Sequence, residues 1–81
     1  MWNRTYYAVE TRHPVSGSRW DGQHTFRVSA YEGPDGPSFY ASSDNFGCGK
    51  NYATPEGAIR ALVQDNGAEV LRHEYMYEDE I

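Results

Sequence analysis

The sequence predicts an α+β fold: a single small domain in which an antiparallel sheet carries one helix on one face, in the order β-β-β-α-β. Three observations carry this expectation. The chain has 81 residues, enough for one domain over 1–81 and one small core. His24 to Tyr31 alternates, with Phe26, Val28 and Ala30 on one side and Thr25, Arg27, Ser29 and Tyr31 on the other, the period of a half-buried strand. Thr54 to Gly67 has a helix's period and punctuation instead. Thr54 is placed to cap, Pro55 takes the first helical position, and Glu56 sits in the first turn, where its charge suits the dipole. Ala58, Ile59, Leu62 and Val63 form an apolar stripe, and Asn66-Gly67 supplies the stop.

The remaining elements are taken in chain order. Arg4 to Thr11 is rich in Thr, Tyr and Val, which suit a pleated surface; Tyr7 and Val9 share one face, Tyr6, Ala8 and Glu10 the other. Residues 12–22 hold Pro14, Gly17 and Gly22 and read as a mobile or binding loop. Glu32 to Pro37 is a dense Gly/Pro turn into a third strand, Ser38 to Ser43, with Phe39 and Ala41 on one face and Tyr40 and Ser42 on the other. Asp44 to Tyr52 is a second loop. Glu69 to Tyr77 is expected as the last strand, with Leu71, His73, Tyr75 and Tyr77 on one face and Leu71 turned inward. Residues 78–81 are expected as a frayed acidic tail. The expected core is Tyr7, Val9, Phe26, Val28, Ala30, Phe39, Ala41, Ile59, Leu62, Val63 and Leu71.

Composition narrows the function classes. No apolar run is long enough for a membrane span or a signal-peptide core, and a cytoplasmic setting is expected. Cys48 is the single cysteine, so no internal disulfide forms. The net charge is −5, which argues against a generic phosphate-backbone binder. That charge is polarised. Residues 1–27 set Arg4, Arg12, Arg19 and Arg27 against Glu10 and Asp21; residues 65–81 set only Arg72 against Asp65, Glu69, Glu74, Glu78, Asp79 and Glu80. The acidic end lies in and beside a Tyr-rich strand, in a chain with seven tyrosines.

Catalytic constellations are thin. Cys48 between Gly47 and Gly49 is a candidate nucleophile, but nothing in the sequence sets His13, His24 or His73 beside it as a base. Gly47-Cys48-Gly49-Lys50 suggests a phosphate loop, yet Asp44 stands where that pattern needs a glycine and Asn51 where it needs Ser or Thr. One cysteine and three scattered histidines do not make a zinc set. No catalytic residue, cofactor or metal is therefore expected.

Two resemblances add to these observations. The order of His24–Tyr31, Ser38–Ser43 and the run Gly-x-Gly-Lys before an Ala-containing helix resembles the second half of a double-stranded-RNA-binding domain. That family opens with a helix where residues 1–12 read as a strand, and it grips phosphates with several lysines where only Lys50 stands here. In type, a small acidic, Tyr-rich α+β domain is similar to accessory proteins of bacteriophages and mobile elements, anti-CRISPR proteins among them. This second resemblance implies a non-enzymatic inhibitor that binds a host protein or ribonucleoprotein complex with a basic groove, in some cases as a nucleic-acid mimic. The residues expected to carry it are Glu69, Glu74, Glu78, Asp79 and Glu80 for charge, and Tyr31, Tyr40, Tyr75 and Tyr77 for packing. Direct nucleic-acid binding through Arg4, Arg12, Arg19, Arg27 and Lys50, a Cys48-dependent enzyme, and a homodimer built on the tyrosine face or an edge strand are the alternatives.

Overall fold

A computed structural model describes residues 2–80, and the side chains of residues 3–79. The α+β architecture is as expected. Strands β1 (Trp2–Arg12), β2 (Gly22–Gly33), β3 (Gly36–Ser43) and β4 (Phe46–Gly47) precede helix α1 (Pro55–Asp65), and strand β5 (Glu69–Glu80) comes after it. They form one antiparallel sheet in the order β4-β3-β2-β1-β5. The fifth strand is β4, inside the stretch read as a loop. Asp44 adopts a positive φ of 51°, which Asp tolerates better than most residues, and so turns β3 back onto Phe46 and Gly47.

The helix ends as its sequence dictates. The Thr54 side chain accepts from the Gly57 amide at 3.0 Å, and Pro55 opens the first turn. Gly67 lies just past the helix with φ of 81°, and Ala68 N–H returns to the Val63 carbonyl. Ala58, Ile59, Leu62 and Val63 are buried against Val9, Phe26, Val28 and Ala41 of the sheet. Each large side chain among them contributes about 1.5–3 kcal/mol through burial.

Several expectations need correcting. Trp20 is 7% exposed and belongs to the core. It anchors the 13–21 loop, because the Thr11 hydroxyl donates to its carbonyl at 2.6 Å. Cys48 and Ala68 are buried as well, whereas Tyr7 and Phe39 are half-buried around the core's edge. Leu71 points outward, 48% exposed. The register of β1 against β5 skips Leu71 between Val70 and Arg72, and skips Met76 between Tyr75 and Tyr77. Each such bulge reverses the alternation beyond it. Residues 78–80 are strand rather than tail, since Glu78, Asp79 and Glu80 pair with Thr5, Arg4 and Asn3.

The proportions of helix and sheet position the site. A helix of 11 residues is about 16 Å long, whereas a strand of 12 residues runs to about 40 Å. The molecule measures 42 × 22 × 21 Å. Helix α1 therefore covers the half of the sheet that holds Val9, Thr11, Phe26 and Val28. Thr5 and Glu78 lie level with Val28 by register, and beyond them the strands run on to Asn3, Ala30 and Glu32.

Candidate functional site

The bulges of β5 decide where its acids and tyrosines go. On the helix side of the sheet, Tyr75 lies opposite Tyr7 and meets it edge-on at 6.1 Å, and Glu78 lies opposite Thr5. On the other, open side, Glu74 lies opposite Ala8, Tyr77 opposite Tyr6 and Asp79 opposite Arg4. Tyr6 and Tyr77 stack at 4.5 Å. Without the bulge at Met76, Tyr75 and Tyr77 would share a face, as the alternation suggested.

The five predicted acids are accordingly dispersed. Glu69 is paired with Arg12, whose Nη2 donates at 2.6 Å and Nε at 2.9 Å. Glu74 and Asp79 share the open face with Arg4, Arg27 and Arg72 by register, so the charge there is mixed. Glu78 lies on the helix side. The Glu80 side chain lies outside the described residues. Among the four predicted tyrosines, Tyr31, Tyr40 and Tyr77 lie on the open face, and Tyr75 lies on the helix side. Tyr40 covers Gly47: a Cβ there would sit 2.8 Å from Tyr40 Cζ, so the ring needs glycine beneath it.

A second set of carboxylates is not apparent from the sequence. Glu32, one residue before the end of β2, lies on the helix side, by the alternation that places Val28 and Ala30 there. Together with Glu78 it borders a groove of about 480 Å³ on the helix side of the sheet, floored by Asn3, Thr5, Phe39 and Pro37. Asn3 Nδ2 donates to Glu78 Oε1 at 3.2 Å, and Asn3 Oδ1 is shut off from water with no donor among the described residues. Among the described residues, no Lys or Arg lines this groove. Next to it, burial raises the Tyr7 pKa, and the charges of Glu56, Tyr75 and Glu78 push it further the same way. The helix-side far end of the sheet thus carries two carboxylates, Glu32 and Glu78, at one groove. Only strand register could have disclosed it, because Glu32 and Glu78 are 46 residues apart in the chain.

Several of the groups considered for chemistry or nucleic-acid binding have local contacts. The Cys48 thiol donates to the Lys50 carbonyl at 3.1 Å and accepts from the Ala41 amide at 3.2 Å, so it knits the loop onto β3. Arg19 pairs with Asp44 at 2.9 Å and lies over the Phe46 ring, while Lys50 lies over Tyr52. Among the described residues, no group of three His, Cys, Asp or Glu is placed to hold a metal ion. Among the same residues, no helix is long and apolar enough to cross a membrane. No family model matches the chain, and neither a curated protein nor a solved structure matches it.

Proposed function

We propose that this chain is a non-enzymatic binding protein. It docks the far half of its sheet, bounded by β5, on a basic surface of a host protein or ribonucleoprotein complex and inhibits by occupying that surface. A phage-encoded inhibitor of a CRISPR-type defence complex, working in the host cytoplasm, is the class this reading favours.

The observation that carries it is the outer edge of β5. This strand is twelve residues long and has only β1 as a neighbour among the described residues. Tyr75, Met76 and Tyr77 are 56%, 47% and 52% exposed along it, between Glu74 and Glu78. An exposed aromatic edge with open main-chain groups is a pairing surface unless something guards it. Here the guards are two bulges and the acids. A second copy of the chain would bring acid against acid, whereas a basic partner turns the same charges into attraction and fast association. Tyrosines add contact area at low entropy cost.

The test is capture from nuclease-treated host lysate by the wild-type chain and by the triple variant Glu74→Lys/Glu78→Lys/Asp79→Lys. The reading expects a partner retained by the wild type and lost by the variant, with the far-UV circular dichroism of both alike. Equal retention by both refutes it. Light scattering at two concentrations separates a homodimer from a partner complex.

A further inference from the structure

The two edges of the sheet are finished differently. The outer side of β3 is filled by the chain that follows it. Phe46 and Gly47 pair with Ser43 and Ser42. Cys48 N–H donates to the Ala41 carbonyl at 3.0 Å, and Phe39 and Tyr52 exchange main-chain hydrogen bonds of 2.8 and 2.7 Å. The outer side of β5 meets no such segment among the described residues. An edge strand turns alternate N–H and C=O groups away from its sheet, so β5 presents a row of them along its twelve residues. The acids beside that row are uncompensated too. Among the described residues, Glu74 and Asp79 have no ion pair or side-chain hydrogen bond, although Arg4 lies opposite Asp79, and Glu78 accepts only from Asn3.

We propose that β5 takes up an extended basic segment of the partner protein as a sixth strand. This deepens the reading of β5 as a docking edge and rests on it for the source of the segment. Main-chain pairing supplies attraction open to any extended peptide, and side chains supply the selection. Beyond the bulge at Met76, Tyr77, Glu78 and Asp79 pair without interruption with Tyr6, Thr5 and Arg4. Successive side chains of a strand face opposite sides, so Asp79 and Tyr77 stand on the open face and Glu78 on the helix side. A strand laid antiparallel along this stretch meets Asp79 first, then Glu78, then Tyr77. It matches the edge with two successive Lys or Arg residues, one on each face, followed by an apolar residue against the Tyr77 ring. Opposite charges across a strand pair attract and like charges repel, so an acidic segment is turned away. A second copy of the chain is a poor occupant, because no two Lys or Arg residues are adjacent anywhere in this sequence.

Nuclear magnetic resonance titration of the isolated protein with the blocked peptide Thr-Lys-Arg-Val-Thr-Val-Lys-Thr tests strand addition without the partner. Saturable shifts are expected in the amides of Tyr75 to Asp79, with slowed hydrogen exchange of the β5 amides that face away from β1. Glu78→Lys/Asp79→Lys should weaken the peptide by about tenfold, while the dispersion of the sheet amides confirms folding. Methylating alternate main-chain nitrogens of the peptide separates strand pairing from side-chain docking and needs no protein variant. One alternate set, turned toward β5, should abolish binding; the other should leave most of it. Strand addition is refuted by the absence of saturable shifts, by equal binding of a peptide with Glu in place of the Lys-Arg pair, by affinity unchanged in the folded lysine variant, or by both methylated sets binding alike. Exchange protection of the same amides that rises with protein concentration alone also refutes it, and makes a second copy the occupant. If the peptide fails while the triple lysine variant still loses its partner, only strand addition is wrong. Peptide binding with partner capture indifferent to the triple variant leaves the strand site and removes the docking reading.

Discussion

Tyr6 stacks on Tyr77 across the β1–β5 pair, with ring centroids 4.5 Å apart and planes 19° from parallel. Two residues earlier on β5, Tyr75 meets Tyr7 on the opposite side of the sheet. One skipped residue, Met76, separates the two arrangements. The stack holds the last residues of β5 as strand, and it leaves Glu78 and Asp79 pointing to opposite faces.

If residues 78–80 are strand, ending the chain after Tyr77 removes their pairing with Thr5, Arg4 and Asn3 and the Asn3–Glu78 hydrogen bond. A loss of about 1–3 kcal/mol in urea unfolding is expected. A frayed tail would cost nothing, so unchanged stability contradicts the assignment.

Thr11 is buried, 2% exposed, and its hydroxyl ties β1 to the Trp20 carbonyl. Thr11→Val keeps the shape and leaves that carbonyl without this donor. A loss of about 1–3 kcal/mol is expected, and Thr11→Ser should recover much of it. Chemical denaturation of the three proteins measures this.

Trp20→Ala empties a site bordered by Phe26, Phe46 and His24. The expected cost is about 3–5 kcal/mol, a large share of a small domain's stability. Val15→Ala in the same loop, at a side chain 63% exposed, should stay within about 0.5 kcal/mol of wild type. Equal effects would show that the loop is not anchored by Trp20.

His24 lies beside Trp20 and Phe26, and its Nε2 has no hydrogen-bond partner among the described residues. Burial lowers its pKa below 6.5, the Arg19 charge adds to this, and Asp44 opposes it. The unfolded chain therefore binds a proton at a pH where the folded chain does not. Stability is full above about pH 6.5 and falls as the pH drops toward the folded-state value, with carboxylates joining below about pH 5. His24→Phe should flatten the upper part of that decline. Thermal melts between pH 7 and 5 check the sign, and a wild type that gains stability on acidification contradicts it.

The helix and the first three strands were legible because local chemistry dictates them. Thr54-Pro55-Glu56 and Asn66-Gly67 bracket α1, and the alternation through Phe26 and Val28 places β2 with its core face inward. The face assignments of β5 were not legible. Nothing in the side chains of Leu71 or Met76 marks them as positions that β1 skips, and each skip reverses the facing of the residues beyond it. Trp20 is not legible as core, because a lone aromatic in a turn-rich loop has no periodicity. The sequence shows of Cys48 only its reactive group, whereas its place is set by packing and two hydrogen bonds. That Glu32 and Glu78 border one groove follows only from sheet order.

The most direct test of the binding account is the affinity of the captured partner for the wild type and for Glu74→Lys/Glu78→Lys/Asp79→Lys, measured side by side at two salt concentrations. The account predicts a loss of about 100-fold or more in the variant, and weaker wild-type binding at the higher salt. Equal affinities that do not respond to salt would contradict it.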